Sequence, residues 1–224
     1  MDQHLAEEFA RRFKIAVEHV VREEYEMLLL RGLFESRLGS DLVFKGGTAL
    51  RLAYGSPRFS DDLDFSTIDP IPTEEFVHIV QALSKALPQV TLVEALAKRF
   101  TLFALFKVRE AYLPQPFSIK IEISTRPGVW ERSRDFELRL LATDFTNVTV
   151  LAQVATLERM WEDKQKALAA RKQPRDLYDL WFIAQKLGRD FSPDLTGFDR
   201  KAIKRELRKY LPRSHWRVIE QWIE

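Results

Sequence analysis

The chain has 224 residues, of which 46% are hydrophobic and 30% charged, a balance typical of a soluble globular protein with a sizeable core. It contains no cysteine, which excludes disulfides, thiol nucleophiles and zinc–thiolate sites. The formal net charge of +2 is too small to indicate nucleic-acid binding by itself, and no apolar run approaches the roughly 20 residues of a membrane span. With no apolar stretch of signal-peptide type near the N-terminus, we expect a cytoplasmic protein without a membrane anchor.

Helical and strand patterns alternate along the first two thirds of the chain. Apolar residues recur at helical spacing near the N-terminus, whereas later segments are short and apolar or alternate apolar with polar residues, as strands do. The predicted elements are, in chain order, one long helix or two over 4–37, a strand over 41–45, a helix over 48–54, a strand over 61–67, a helix from Thr73, and strands over 89–96, 100–108, 117–125 and 147–152.

The rest of the chain has a helical pattern from about Val154 onward. Its composition changes near residue 153, which predicts an α/β domain over 1–152 and a helical region over 153–224. The predicted fold class is therefore α+β, a mixed α/β domain followed by helices.

Positive charge is concentrated near the C-terminus, where residues 200–217 read RKAIKRELRKYLPRSHWR. Such a run is most often a solvated helix face. The alternative is a surface that binds a polyanion. The sequence leaves both open.

Two aspartates stand one residue apart in the predicted strand DDLDFST. In a strand, Asp62 and Asp64 point to the same face, while Leu63 and Phe65 point to the other. Two carboxylates placed in this way repel each other, so a cation between them favours their ionised forms. Hard divalent ions such as Mg²⁺ commonly take one or two carboxylates together with substrate phosphates. A metal site is one reading of the pair, and an exposed acidic strand is the other.

A glycine pair lies just upstream, at a predicted junction between a strand and a helix. Backbone N–H groups and the helix dipole at Gly46-Gly47 could bind an anion, and Thr48 could cap the helix or donate a hydroxyl to a phosphate. The alternative is a tight turn that only needs glycine. The Walker pattern GxxxxGK[ST] is absent.

Four further residues could complete a site. Glu122 lies on the polar face of the alternating strand FSIKIEIST and could be a third metal ligand or a general base. Lys164 falls in an apolar helical stripe that also contains Arg171, where a charge needs a partner such as a triphosphate or a carboxylate. Asp176 could contact a nucleotide, or it could cap its helix and pair with Arg171 or Arg175.

These pieces together resemble the nucleotidyltransferase superfamily, and in particular its AbiEii/AbiGii toxin-like family. The matching segments are FKGGTAL (44–50), RFSDDLDF (58–65), IKIEIS (119–124), LERMWEDKQKALAAR (157–171) and PRDLYDL (174–180). The resemblance covers roughly residues 40–187, and its specificity comes from the combination and order of these segments.

The resemblance implies a small mixed sheet backed by helices, with the helical C-terminal half completing a nucleotide cleft. It implies a magnesium-dependent transfer of a nucleoside monophosphate from an NTP to an acceptor hydroxyl, with release of pyrophosphate. Two Mg²⁺ ions, a tRNA 3′ end as acceptor and an antitoxin partner protein are implied in the same way. The expected catalytic residues are Asp62, Asp64, Glu122 and Lys164, the first three of them as metal ligands. The expected nucleotide-binding residues are Lys45, Gly46, Gly47, Thr48, Arg58, Ser60, Arg171 and Asp176.

Three alternatives remain at this point. A fold of the same kind with weak catalysis could act as a protein- or RNA-binding module. A phosphotransferase could use Asp62 as nucleophile, since DLDFS loosely matches a DxDx[TS] pattern, but that scheme leaves the glycines unexplained. A small-molecule acceptor such as an aminoglycoside is also compatible with a transferase.

Overall fold

The computed structural model describes residues 1–223, and a seven-stranded mixed sheet is its centre. The strands lie in the order β3-β4-β5-β2-β1-β7-β6. Their bounds are β1 Leu42–Lys45, β2 Asp62–Thr67, β3 Val90–Lys98, β4 Thr101–Val108, β5 Phe117–Ser124, β6 Phe136–Thr143 and β7 Thr146–Ala155. The neighbours β1/β7 and β2/β5 are parallel, and the other neighbouring pairs are antiparallel. This confirms the predicted mixed α/β fold class.

Helices cover the sheet and form the C-terminal part of the chain. They are α1 Gln3–Phe13, α2 Val17–Phe34, α3 Gly46–Tyr54, α4 Thr73–Ala86, α5 Leu157–Arg171, α6 Pro174–Leu187, α7 Arg200–Tyr210 and α8 Trp216–Ile223. The helix α2 packs on β7 and β5, α3 on β2 and β6, and α4 on β3 and β4. The last four helices pack in sequence, each against the next. Within residues 1–223, every helix is too short or too polar to cross a bilayer.

Alternating burial along the strands places one face of each central strand in the core. In β5, Phe117, Ile119, Ile121 and Ile123 are buried, and the residues between them are more exposed. Leu63 and Phe65 of β2 are fully buried. The polar residues of both strands therefore share the opposite face, which is where the candidate site lies.

The structure departs from the sequence prediction at three places. The helix α3 begins at Gly46 rather than Thr48, so the glycines form its first turn. Strand β6 was not predicted from the sequence. The strand β7 continues to Ala155, across the predicted boundary at 152/153, and one hydrophobic core contains residues of both parts. The two-part division stays a prediction.

Candidate active site

The paired strands β2 and β5 bring three carboxylates to one face of the sheet. In the parallel register Asp64 stands opposite Glu122, and Asp62 stands opposite Lys120. Neighbouring strands lie about 4.8 Å apart, so paired residues are direct neighbours. The Lys120 ammonium is 3.5 Å from a carboxylate oxygen of Asp62. Asp62, Asp64 and Glu122 thus form a row on one face of the two central strands, which we call the carboxylate edge, as the family resemblance implies.

Asp64 carries a charge that the protein only partly balances. Burial raises the pKa of its carboxyl group, and the negative charges of Asp62 and Glu122 add to this, while Lys164 and Lys45 oppose it. In residues 1–223 no basic side chain forms an ion pair with Asp64. A site that pushes a carboxylate towards its neutral form is stabilised by a bound cation.

The donor set fits a hard divalent ion that is also held by its substrate. Asp62 and Asp64 supply oxygen ligands on adjacent positions of one face. Among the described residues, no three acidic or histidine side chains are close enough to hold a metal by themselves. One or two carboxylates with substrate phosphates is the usual coordination of Mg²⁺. Glu122 as a third ligand stays a prediction.

The glycine pair lies directly against this edge. Gly46 has a φ of +81°, and a Cβ atom there would stand 2.3 Å from the Asp64 carboxylate. A Cβ atom on Gly47 would stand 2.3 Å from the guanidinium of Arg58 and 2.6 Å from Ser60 Oγ. No side chain caps this end of α3. The backbone N–H groups of the first turn therefore remain free to bind an anion next to the carboxylates.

Thr48 does not cap its helix, which was one of its two predicted roles, and its nucleotide contact stays a prediction. It lies inside α3, whose N-cap is Lys45, and its side chain is fully buried. Its hydroxyl donates to the backbone carbonyl of Asp62 at 2.6 Å. The helix cap predicted for Thr48 is wrong because the helix begins two residues earlier, and the hydroxyl instead ties α3 to the start of β2.

We expect Gly46→Ala to be more damaging than Gly55→Ala. Both glycines have positive φ, +81° and +75°, so alanine is strained at both by about 1 kcal/mol. A Cβ atom at Gly55 meets nothing within 4 Å, whereas one at Gly46 strikes Asp64. Urea unfolding should show an additional loss of about 1–3 kcal/mol for Gly46→Ala. Equal losses would mean that the Asp64 contact does not constrain the turn.

Helices α5 and α6 face the edge with a buried chain of alternating charges. Arg58, from the loop before β2, binds both carboxylate oxygens of Asp179 at 2.7 and 2.8 Å. Lys164 bridges Asp179 at 2.6 Å and Asp176 at 2.9 Å. Arg171 binds Asp176 through two nitrogens, at 2.6 and 2.8 Å. Both aspartates are fully buried, and Arg58 is 2% exposed.

This chain assigns positions to several predicted residues. Asp176 is a counter-ion of Lys164 and Arg171, which matches the structural alternative for it, and a direct nucleotide contact stays a prediction. The buried guanidinium of Arg58 is engaged by Asp179 beneath the glycine turn, so it positions that turn. Asp179 was not among the predicted site residues, although its place three residues after Asp176 on a buried helix was a signal for it.

The buried aspartates have lowered pKa values. Burial opposes ionisation of Asp176, but hydrogen bonds from Arg171 and the charge of Lys164 outweigh it and lower the pKa to about 2. Burial likewise opposes ionisation of Asp179, and the charges of Arg58 and Lys164 lower its pKa. Both carboxylates are therefore ionised throughout the neutral range.

Stability should depend on Asp176 in a pH-sensitive way. A folded pKa of about 2 against an ordinary 3.8 contributes about 2 kcal/mol above pH 4, which is lost as the pH falls towards 2. At pH 7 we expect the unfolding free energy of Asp176→Asn to be lower than that of wild type by at least this amount. The difference between the two proteins should become smaller below pH 4. Urea unfolding between pH 7 and 3 measures it. The exposed Asp69→Asn is the matched control, and a gap independent of pH would contradict the ion pairs.

A cleft of about 180 Å³ lies between the carboxylate edge and α5. Its lining residues are Lys45, Gly46, Asp64, Met160, Asp163, Lys164, Ala167 and Arg171. Lys45 lies 3.4 Å from Asp163, a contact that the sequence did not indicate. The cleft thus joins one carboxylate of the pair, the glycine turn and three cations. Asp62 and Glu122 lie beside it on β2 and β5, and Gly47 and Ser60 lie beside it on α3 and on the loop before β2.

Comparison with known proteins gives the family. The model of the family described as "Nucleotidyl transferase AbiEii toxin, Type IV TA system" matches residues 28–220. An uncharacterized protein of Aquifex aeolicus, aq_aa25, is 29% identical over 153 residues, which are 67% of this chain and 61% of that protein. The matched segment thus spans less than two thirds of that relative.

Three solved structures share the fold. MenT4, the nucleotidyltransferase toxin Rv2826c of Mycobacterium tuberculosis, is 21% identical with a TM-score of 0.65, over 92% of this chain and 68% of that one. JHP933 of Helicobacter pylori is 22% identical with a TM-score of 0.59, over 93% of both chains. A putative nucleotidyltransferase of H. pylori is 22% identical with a TM-score of 0.58, over 93% and 96%. With its family model matched over most of its length, the chain belongs to the AbiEii nucleotidyl transferase toxin family.

Proposed function

We propose that this protein transfers a nucleoside monophosphate from an NTP to an acceptor hydroxyl and releases pyrophosphate. The observation that carries the proposal is the meeting of opposite binding chemistries in one cleft. Carboxylates that favour a cation, Asp62 and Asp64, adjoin a glycine turn and cations that favour an anion, Lys45 and Lys164. A metal–triphosphate complex needs both.

The protein's own residues would divide the work as follows. Asp62 and Asp64, with Glu122 beside them, would hold Mg²⁺, which when bound stabilises the charge on the attacking and leaving oxygens. Free N–H groups at Gly46-Gly47 would donate hydrogen bonds to the outer phosphates. Lys164, fixed by Asp176 and Asp179, would neutralise phosphate charge from α5.

Positioning accounts for the remaining residues. Arg171 is half-exposed while its guanidinium is held by Asp176, so it can present its free edge to a phosphate. Ser60 and the buried Arg58 pack against Gly47 and thereby fix the position of the glycine turn. Glu122, next to Asp64, could also draw the proton from the attacking hydroxyl. Phosphoryl chemistry depends mainly on such positioning and on charge stabilisation.

The family adds a biological setting to the proposal. Its description as a type IV toxin–antitoxin system supports an antitoxin partner for this chain, and a tRNA 3′ end is the acceptor that we propose. An activity that consumes NTPs and tRNA belongs in the cytoplasm. Two Mg²⁺ ions are expected from the three carboxylates on one edge.

One observation favours a second candidate, a binding module with weak catalysis. The three carboxylates do not form a ready-made metal group among residues 1–223. If Glu122 is no ligand, the metal would be held only by the aspartate pair and the substrate. The variant Glu122→Gln separates the candidates. It should reduce transfer at least 100-fold if Glu122 is a metal ligand or the general base.

The test is transfer of label to an acceptor. The purified protein is incubated with each α-³²P-labelled NTP and Mg²⁺, with total tRNA, an aminoglycoside or protein extract as acceptor. We expect labelled tRNA from one or two of the NTPs, and none when EDTA is added. No label on any acceptor, together with no NTP binding in calorimetry, would contradict the transferase. Phosphorylated Asp62 in mass spectra would instead indicate a phosphotransferase.

A further inference from the structure

A larger cavity lies away from the carboxylates, at the meeting of the two ends of the chain. It measures about 610 Å³ and lies between the α1–α2 link and the segment formed by α7, the turn after it and α8. We call it the basic cavity, since its walls include Lys14, Arg208, Lys209 and Arg213. It contains part of the basic run 200–217 that the sequence left unassigned.

Most of the positive charge in the basic cavity is uncompensated. Its one acidic wall residue, Glu18, pairs with Arg22 at 2.8 Å, and Arg208 pairs with Glu220 at 2.6 Å. In the part of the chain that the structure describes, Lys14, Lys209 and Arg213 have no carboxylate partner. Three unpaired cations around a concave surface attract a polyanion.

The wall of the cavity adds anion-binding groups. The N-terminus of the 18-residue helix α2 lies there, with Ala16 as its N-cap and no side-chain cap. Its free N–H groups and dipole favour a phosphate. His19, in the same turn, is 5% exposed and donates from Nε2 to the Lys209 carbonyl at 2.9 Å. Its Nδ1 has no hydrogen-bond partner within residues 1–223.

An aromatic side chain distinguishes the expected ligand from an acidic peptide. Trp216 lines the basic cavity, and the guanidinium of Arg208 lies 4.3 Å from its ring centroid. Its Nε1 donates to the Leu211 carbonyl at 3.1 Å, which fixes the indole. A fixed aromatic ring among cations is the usual platform for single-stranded nucleic acid, whose bases stack while its phosphates pair with lysine and arginine.

Tyr210, which stands in the sequence between two residues of the cavity wall, connects α7 to the segment just before β2. The Tyr210 hydroxyl, at the end of α7, donates to the Asp61 carboxylate at 2.6 Å. The backbone N–H of Phe59 donates to the Tyr210 carbonyl at 2.8 Å. Asp61 immediately precedes Asp62, the first residue of β2. These two hydrogen bonds connect the segment that carries the cavity wall to the residue immediately before the carboxylate pair.

From these observations we infer that the basic cavity binds the phosphodiester backbone of the RNA whose hydroxyl accepts the nucleotide. The inference rests on the proposed function and assigns its acceptor a place separate from the NTP cleft. The NTP contacts Lys45, Lys164 and the glycine turn, whereas the acceptor contacts Lys14, Lys209, Arg213 and Trp216.

The test removes the three unpaired cations together. The triple variant Lys14→Gln, Lys209→Gln, Arg213→Gln changes exposed residues, so the fold should survive. The matched control is Arg37→Gln, Lys85→Gln, Lys107→Gln, which removes the same charge at exposed positions outside the cavity. Fluorescence anisotropy measures binding of labelled total tRNA and of a single-stranded RNA oligonucleotide, and calorimetry measures NTP binding.

We expect the cavity variant to bind both RNAs at least about 10-fold more weakly, with a salt slope shallower by roughly 2, because each lost phosphate contact in a single strand removes about 0.7. NTP affinity and melting temperature should equal those of wild type, and the control should bind RNA normally. Unchanged RNA binding by the cavity variant, equal losses in the control, or displacement of RNA by polyglutamate at similar charge would overturn the inference.

The outcomes also separate this inference from the proposed function. If wild type transfers no label but the cavity variant loses RNA binding selectively, the cavity is an RNA site and the transferase assignment fails. If the variant retains both transfer and the wild-type KM for tRNA, the transferase stands and the cavity is not the acceptor site.

Discussion

The Asp64→Asn variant is expected to lose nucleotidyl transfer by about 1,000-fold or more, with a melting temperature equal to or higher than that of wild type. The carboxylate of Asp64 lies against Gly46 and beside Glu122, in a site that burial and like charges push towards neutrality. The amide keeps the shape of the side chain and removes its charge. Loss of the charge stabilises the folded state, because burial and the neighbouring carboxylates disfavour a charge at this position. The same loss removes a ligand of the cation.

Transfer of radiolabel measures the activity of Asp64→Asn, and differential scanning calorimetry measures its melting temperature. The control is Asp69→Asn, which changes an exposed aspartate just beyond the end of the same strand and should leave both quantities unchanged. Retained transfer would show that Asp64 does not hold the metal. A large drop in melting temperature would show that the carboxylate is structural.

The Arg58→Met variant is expected to lose about 3–5 kcal/mol of unfolding free energy. Arg58 is 2% exposed and is the bidentate partner of the fully buried Asp179, so its removal leaves part of a buried negative charge uncompensated. Lys164 still contacts Asp179, but it is shared with Asp176. The loss should be visible in urea unfolding at pH 7.

Two further variants identify the cause of that loss. Arg37→Met changes an exposed arginine and should cost less than about 0.5 kcal/mol. Adding Asp179→Leu to Arg58→Met removes the stranded charge and should recover part of the stability, because a buried ion pair can be replaced by apolar residues at little cost. A loss below about 1 kcal/mol for Arg58→Met would contradict a buried ion pair at this position.

The sheet and the carboxylate edge were largely predictable because they depend on short-range patterns. Alternation in DLDFS and FSIKIEIS fixes which side chains face together, and Gly46-Gly47 marks the strand end. The pairing of β2 with β5, which brings Asp64 beside Glu122, is a long-range contact that alternation alone does not specify. There the family resemblance supplied the expectation.

Strand β6 was missed for a physical reason. Its sequence FELRLLAT consists largely of residues that favour helices, and Leu138 and Leu140 are exposed at 48% and 62%, so the apolar pattern does not mark one buried face. Backbone pairing with β7 at the sheet edge decides its conformation. Propensity is overridden by tertiary context in such edge strands.

The buried chain of alternating charges on α5 and α6 could be predicted only in part. Lys164 in an apolar stripe indicates a buried partner, but the sequence does not say whether that partner is a phosphate or a carboxylate. In the structure the partners are Asp176 and Asp179, brought over by the α5–α6 turn. Likewise the place of Arg58 beside the DxD pair predicts a phosphate ligand. Only the fold shows that Asp179 holds its guanidinium group.

The most direct test of the proposed metal–triphosphate site is a crystal structure with a non-hydrolysable NTP analogue and Mn²⁺, whose anomalous signal locates the metal. We expect an anomalous peak in contact with the Asp62 and Asp64 carboxylates, and outer phosphates at the N–H groups of Gly46-Gly47 within reach of Lys164. Nucleotide bound elsewhere, or a metal without contact to either aspartate, would contradict it.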